Sequence, residues 1–307
     1  MKNSWKSLSA IDLLAIAIVF YALVLLPTVL IQWQFPTQAR PGSTEQPIGK
    51  VNIVAGSSLI TDIIQDIADG KLKAYTVIPP GMCPGHYDVK PSDVETLTNS
   101  RVLIIHNWQQ NMKNIIGLVE AADNPDLVIK VIDVPDMPMV PQIQAETTYK
   151  IAQALGEIDP ENSAYYQEKA AERTQTILAK GEEVKDKLQA ANVSGIKVLC
   201  VEYQAGFAEW AGFDVVATFG RPEDLSPADV AQLVTEAEQA NVALIIDNLQ
   251  SGSTTLGASI EQDVEAIPVT ISNFPGGFEN TETWEKAIDK NVDLLLDALN
   301  EWRVQYG

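Results

Sequence analysis

Short apolar runs alternate with amphipathic stretches along most of the chain. Residues 51–55, 74–78, 102–105 and 127–132 are apolar runs of strand length. Between them, 57–68 places Ile60, Ile63, Ile64 and Ile67 at helical spacing, and 91–99 and 109–122 read as further helices. The alternation returns later, with strands predicted at 196–201, 215–219, 242–246 and 267–271. The accompanying helices are predicted at 204–210, 227–240, 260–266 and 281–302. Strand–helix alternation predicts parallel sheets covered on both faces. Ligands of such sheets bind beyond the carboxyl ends of the strands.

Between the two blocks, 159–191 reads as one helix of roughly 30 residues, so roughly 45 Å at 1.5 Å per residue. Asp159 suits an N-cap and Pro160 a first helical position. Tyr166, Ala170, Ile177, Val184 and Leu188 make one apolar stripe. Gly181 interrupts it at a cost of about 1 kcal/mol relative to alanine, so neighbours are expected to hold that turn. The predicted fold class is α/β: two parallel-sheet lobes, 50–158 and 192–307, joined by one long backbone helix at 159–191.

The amino-terminal pattern is different. Residues 13–35 carry no charged side chain over 23 positions, enough to span a bilayer. Lys2 and Lys6 precede them, so the positive-inside rule places the remaining chain outside the cytoplasm. No cysteine follows closely, which excludes a lipid-modified cysteine anchor. Residues 1–35 are therefore predicted as a single-pass signal anchor, with Thr37-Gln38-Ala39 the alternative, a poor cleavage site. Residues 36–49, rich in Pro, Gly, Thr, Gln and Ser, read as a flexible tether. The chain has 41 acidic and 21 basic residues, a net charge of −20, which argues against nucleic acid as a partner. Its two cysteines, Cys83 and Cys200, are too few for a disulfide framework, although they could pair with each other.

Chemistry concentrates after the second predicted strand, in Pro79-Pro80-Gly81-Met82-Cys83-Pro84-Gly85-His86-Tyr87-Asp88-Val89-Lys90-Pro91-Ser92-Asp93. Three prolines and two glycines ahead of His86 fix an irregular loop that carries a thiol and an imidazole. The loop resembles the metal-binding loop of the zinc and manganese substrate-binding proteins of ABC transporters (cluster A-I, class III type). The shared elements are Pro-Pro-Gly, then a His and an aromatic, then Pro-Ser-Asp at a helix start. The Asp-Pro-Glu-Asn start of the long helix, Asp159 to Asn162, belongs to the same resemblance, which extends over roughly 50–305.

The resemblance implies a metal ion, zinc or manganese, held between the lobes by residues of both. It puts the family's first ligand on His86, a later one on Glu202, and another on Asn273. The family's second histidine has no counterpart in Asp136-Met137-Pro138-Met139-Val140-Pro141. Cys83, Cys200 and His106, at a loop and at strand ends, are possible substitutes. His106 reads equally as a satisfied strand-end histidine, Cys200 as a core thiol, and Met82, Met137 and Met139 as packing. Arg221, in the loop Gly220-Arg221-Pro222-Glu223-Asp224, either meets a carboxylate of a chelate or only shapes its turn. The implied function is a membrane-tethered binding protein that captures a metal ion and delivers it to an ABC permease and its ATPase. The alternatives are a binder of a siderophore- or cobalamin-like chelate and, less well supported, an extracytoplasmic metalloenzyme. No His-Glu-x-x-His helix is present, and nothing catalytic is required.

Overall fold

Each apolar block builds a four-stranded parallel sheet, as the alternation predicts. The computed structural model describes residues 52–134, 138–221, 224–251, 260 and 264–307. The predicted anchor at 13–35, the tether at 36–49, Met137 and positions 261–263 of the predicted helix 260–266 lie outside those residues. Among the described residues no helix is long and apolar enough to cross a membrane.

In the first lobe β1 (Asn52–Ala55), β2 (Lys73–Thr76), β3 (Val102–His106) and β4 (Val128–Ile132) take the order β2-β1-β3-β4. Helices α1 (Ser58–Ala68), α2 (Pro91–Thr98) and α3 (Lys113–Ala122) connect them. Every residue of β3 is buried, whereas edge strand β2 alternates between exposed and half-buried positions. That contrast is expected of a central and an outer strand in a sheet covered on both faces. The apolar face predicted for α1 is realised: Ile60, Ile63, Ile64 and Ile67 are fully buried.

Two helices follow, α4 (Pro141–Ile158) and α5 (Ser163–Ala190), the latter entered through a 3-10 turn at Pro160–Asn162. The stripe Tyr166, Ala170, Ile177, Val184 and Leu188 is buried along its length. Asp159 heads that turn without a side-chain cap bond to the backbone, its carboxylate accepting instead from Asn162 Nδ2 at 2.8 Å and from the Tyr166 hydroxyl at 2.6 Å, and the helix itself begins four residues later than expected. Gly181 lies where a Cβ would stand 2.7 Å from the Pro141 ring of α4, so the glycine permits close helix approach. The sequence pattern does not announce α4, because Gln144, Thr147 and Thr148 occupy buried positions on its inner face.

The second lobe repeats the first. Strands β5 (Lys197–Val201), β6 (Asp214–Phe219), β7 (Leu244–Asn248) and β8 (Ile267–Ile271) take the order β6-β5-β7-β8. Its helices are α6 (Glu202–Trp210), α7 (Pro227–Ala240) and α8 (Trp284–Gln305). α6 begins earlier than predicted, which puts Glu202 on its first turn. The long helix α5 is tied to both lobes. Arg173 donates to Asp62 at 2.5 Å and to Asp66 at 2.7 Å on α1, while Lys180 pairs with Asp289 and Lys187 with Asp293 on α8. Asp62 also accepts from the Trp284 backbone N–H at 3.3 Å, and the Trp284 indole donates to Pro138 O at 3.0 Å. One apolar core runs from α1 through α4 and α5 to α8.

Candidate metal centre

A cavity of about 520 Å³ opens between the lobes, lined by residues from the loops that follow β2 through β8. This is the position that parallel sheets reserve for ligands. From the first lobe come Cys83, Gly85, His106 and Trp108, and from the second Glu202, Arg221, Asn248 and Asn273. Of the residues expected to bind, Cys83, His106, Glu202 and Asn273 meet at this cavity, with two exceptions, His86 and Cys200.

The first exception is His86. A 3-10 turn at Pro84–His86 brings Pro84 and Gly85 to the cavity, with Cys83 just before it, and leaves His86 exposed and off the lining. The imidazole at the cavity is His106. His86, expected to anchor the cargo from the first lobe, is exposed beside that lining.

His106 ends β3 and is fully buried. Its Nε2 lies 2.8 Å from the Ser57 hydroxyl. Ser57 stands at the N-cap of α1 yet makes no side-chain cap bond there, since its hydroxyl is committed to the imidazole. The Trp108 ring stacks on the imidazole with centroids 5.2 Å apart. The His106 backbone N–H donates to Gln109 Oε1 at 3.0 Å. Nδ1 has no hydrogen-bond partner among the described residues. Burial lowers the pKa of His106 from 6.5 to about 3, so the ring is neutral at physiological pH. With the proton on Nε2, donated to Ser57, the Nδ1 lone pair is available as a ligand.

The second lobe offers a matching acceptor. Asn273 follows β8 and is 9% exposed; its backbone N–H donates to Gln250 Oε1 at 2.9 Å. Its side-chain Oδ1 is buried and has no partner among the described residues. Glu202 is exposed at the cavity mouth, next to Tyr203. The Tyr203 hydroxyl bonds both Glu202 and Arg221, and burial is the main cause of its raised pKa. Among the described residues no three His, Cys, Asp or Glu side chains stand close enough together to hold a metal ion. Asp136, flanked by Val134 and Pro138 of the cavity wall, lies outside the described residues.

The cysteines are not paired with each other. Cys200 is buried in β5, where its thiol donates to Val201 O at 3.3 Å, and desolvation raises its pKa strongly. It lies off the cavity lining, whereas Cys83 keeps its place there. Met82 is exposed and Met139 fully buried, so neither supplies the cavity. What sequence reasoning missed is the role of Asn248 and Gln250 in framing the cavity, for amides carry no motif of their own.

Comparison with known proteins adds an independent line. The family profile of the zinc-uptake complex component A, periplasmic (ZnuA), matches residues 53–298. The metal ABC transporter substrate-binding lipoprotein ScbA of Streptococcus cristatus is 25% identical over 232 residues, covering 66% of this chain and 74% of its own. The manganese ABC transporter substrate-binding lipoprotein PsaA of Streptococcus mitis is 24% identical over 284 residues, covering 81% and 89%. Among solved structures, the substrate-binding protein FpvC of Pseudomonas aeruginosa in complex with Mn²⁺ aligns with a TM-score of 0.69 at 17% identity, covering 82% of this chain and 99% of its own. The periplasmic zinc-binding protein TroA of Treponema pallidum aligns with a TM-score of 0.65 at 16% identity, covering 82% and 99%. These two share the fold.

Proposed function

Because the chain belongs to the zinc-uptake complex component A family, we propose that it is the substrate-binding component of an ABC transporter, working outside the cytoplasm, and that its cargo is a divalent metal ion taken up in the cavity between the lobes. The observation that carries this reading is the pair of buried, unpartnered acceptors, His106 Nδ1 from one lobe and Asn273 Oδ1 from the other. Both residues line the one cavity, and two unpartnered acceptors there suit a cation. Nitrogen and oxygen donors suit a borderline or hard divalent ion such as zinc, manganese or nickel. Glu202 and Cys83 are the further donors within the lining. His86 is left out of this set.

The family's named members are transport components and not enzymes, and a binding role asks for no catalytic group. A siderophore- or cobalamin-sized cargo is not favoured, since the family is one of metal-ion uptake. We assign residues 50–158 and 192–307 to two lobes that close on the metal, with 159–191 as the strut between them. The relatives ScbA and PsaA are lipoproteins. In this chain the tether is instead the apolar segment 13–35, with 36–49 as spacer. A permease and its ATPase complete the transporter.

The test is calorimetric titration of the full chain in detergent with zinc, manganese and nickel. One ion per chain is expected for at least one of these metals, with binding weakened by His106→Ala. Failure of all three to bind, or equal binding by His106→Ala, overturns the reading. Protease added to intact cells is expected to release a fragment beginning near residues 38–49; full protection reverses the topology.

A further inference from the structure

Two hydrogen bonds cross between the lobes beside the cavity, and they mirror each other. From the first lobe, Ser58 Oγ donates to Pro275 O of the second at 2.7 Å. From the second, Gln250 Nε2 donates to Pro80 O of the first at 2.6 Å. Both acceptors are the carbonyl of a Pro-Gly pair, Pro275-Gly276 and Pro80-Gly81. The fixed φ of a proline narrows the directions its carbonyl can take. The two pairs also meet. Gly276 has φ +80°, a conformation glycine adopts readily, and a Cβ on it would stand 3.1 Å from the Pro80 ring.

Neither bond is isolated from the cavity. Ser58 follows Ser57, whose hydroxyl meets the His106 imidazole. Gln250 also accepts from Asn273 N at 2.9 Å and donates to Ser272 Oγ at 2.9 Å. Asn291 on α8 grips Ser272 from both sides, accepting from its N–H at 2.9 Å and donating to its carbonyl at 2.8 Å. On the first lobe, Asp62 stands one turn along α1 from Ser58 and accepts from the Trp284 backbone N–H at 3.3 Å. Residues four apart share a helix face, so one face of α1 is bonded to the second lobe at both positions. Pro275 lies two residues beyond Asn273, and Pro80 three residues before Cys83. A movement of the lobes that breaks the two bonds therefore parts the segments that carry the cavity residues.

Resting on the metal-binding reading above, we propose that Ser58 and Gln250 form a reciprocal latch across the cleft and set the rate at which the metal leaves. Both are positioning residues. Ser58, off the cavity lining, acts through the Pro275 segment that carries Asn273, and Gln250 acts through Asn273 N and the Pro80 segment that carries Cys83. Hydrogen bonds that are exchanged for water when a cleft opens contribute modestly one by one. A pair that must break together slows release without making it irreversible.

The test uses the full chain in detergent, loaded with zinc, manganese or nickel, and follows metal release by stopped flow after a chelator is added. Ser58→Ala removes one cross-lobe bond, and release is expected to quicken at least about fivefold, whereas Ser58→Thr, which keeps the hydroxyl, should stay within about twofold of wild type. Gln250→Glu keeps an acceptor for Asn273 N but loses the amide donor to Pro80 O, and is expected to quicken release likewise. The double variant should gain less than the product of the single gains, as coupled bonds do. Spin labels carried by non-natural residues at Glu120 on α3 and Glu238 on α7 read the lobe spacing in the metal-free chain. Its distribution is expected to widen in Ser58→Ala and to narrow again in Ser58→Thr, with circular dichroism confirming that each variant folds. Wild-type release together with an unwidened distribution in Ser58→Ala and Gln250→Glu overturns the latch and leaves the metal-binding reading intact. A widened distribution with unchanged release overturns the control of release. A wild-type chain that binds none of the three metals removes that reading, and the release role with it.

Discussion

In the first lobe β3 ends at His106 and runs into a 3-10 turn, Asn107–Gln109; in the second, β7 ends at Asn248 and runs into the turn Leu249–Ser251. The two strands hold the same place in sheets of the same order. Each turn carries a glutamine that clamps its surroundings. Gln109 accepts from His106 N at 3.0 Å and donates to Gly56 O at 2.8 Å. Gln250 accepts from Asn273 N at 2.9 Å and donates to Ser272 Oγ at 2.9 Å and to Pro80 O at 2.6 Å. A glycine makes room for each clamp, Gly56 for Gln109 and Gly277 for Gln250 and Ser272. The strand-end side chains then part company. The Asn248 side chain is bonded within its own lobe, accepting from Gln204 at 3.2 Å and donating to Ser251 at 3.1 Å. His106 is bonded on one nitrogen only. The framework is duplicated, and the strand ends are not: one lobe leaves an unpartnered nitrogen at its strand end, while the other turns that position into scaffold and leaves Asn273 Oδ1 unpartnered instead.

This asymmetry is open to direct tests. The largest effect is expected at the two strand ends. His106→Ala should weaken metal binding at least about 100-fold, near 2.7 kcal/mol, and Asn248→Ala less than about tenfold, both by calorimetry. Equal losses would mean that the lobes contribute symmetrically after all.

Next comes a pH effect belonging to the first lobe alone. The pKa of His106 is about 3 in the folded protein against 6.5 for an exposed histidine. The unfolded chain therefore takes up the proton first, and stability is lost as pH falls through the window from about 6.5 toward 3. Between pH 7 and pH 5 the loss should be about 2 kcal/mol, read from urea melts of the metal-free protein. His106→Asn, which copies the second lobe's residue, should remove this part of the slope. The same slope in the variant would assign it elsewhere.

The glycines come third. Gly56→Ala and Gly277→Ala each press a Cβ onto a clamp and should each cost about 1.5 kcal/mol of stability, as overpacked sites do. If only one does, the clamps are not equivalent. The smallest effect belongs to Ser57→Ala, which frees the His106 ring from its orienting partner. Metal affinity should drop about tenfold, near 1.4 kcal/mol, while Ser251→Ala at the second lobe should change it less than about twofold.

Periodicity alone was enough to read the architecture, because burial on both sheet faces leaves near-continuous apolar runs such as Val102–His106 and Leu244–Asn248. The long helix was legible for the same reason, since its buried residues recur at helical spacing, although Asp159 and Pro160 open a 3-10 turn ahead of it and not the helix itself. Helix α4 was not, since its buried Gln144, Thr147 and Thr148 read as surface. The site was legible only in part. The carboxyl ends of the strands could be named from the sequence, and with them Cys83, His106, Glu202 and Asn273, all of which line the cavity. Which of two histidines faces it could not. His86 sits in the loop that carries the motif, and its direction depends on a single 3-10 turn. The availability of His106 Nδ1 depends on a serine 49 residues away in sequence, and the placing of Arg221 against Gly85 on how two lobes meet. Local pattern dictates which segments fold into strands and helices. The direction of a side chain and the partners it keeps are decided by contacts between segments distant in the chain, and these exist only once the lobes have packed.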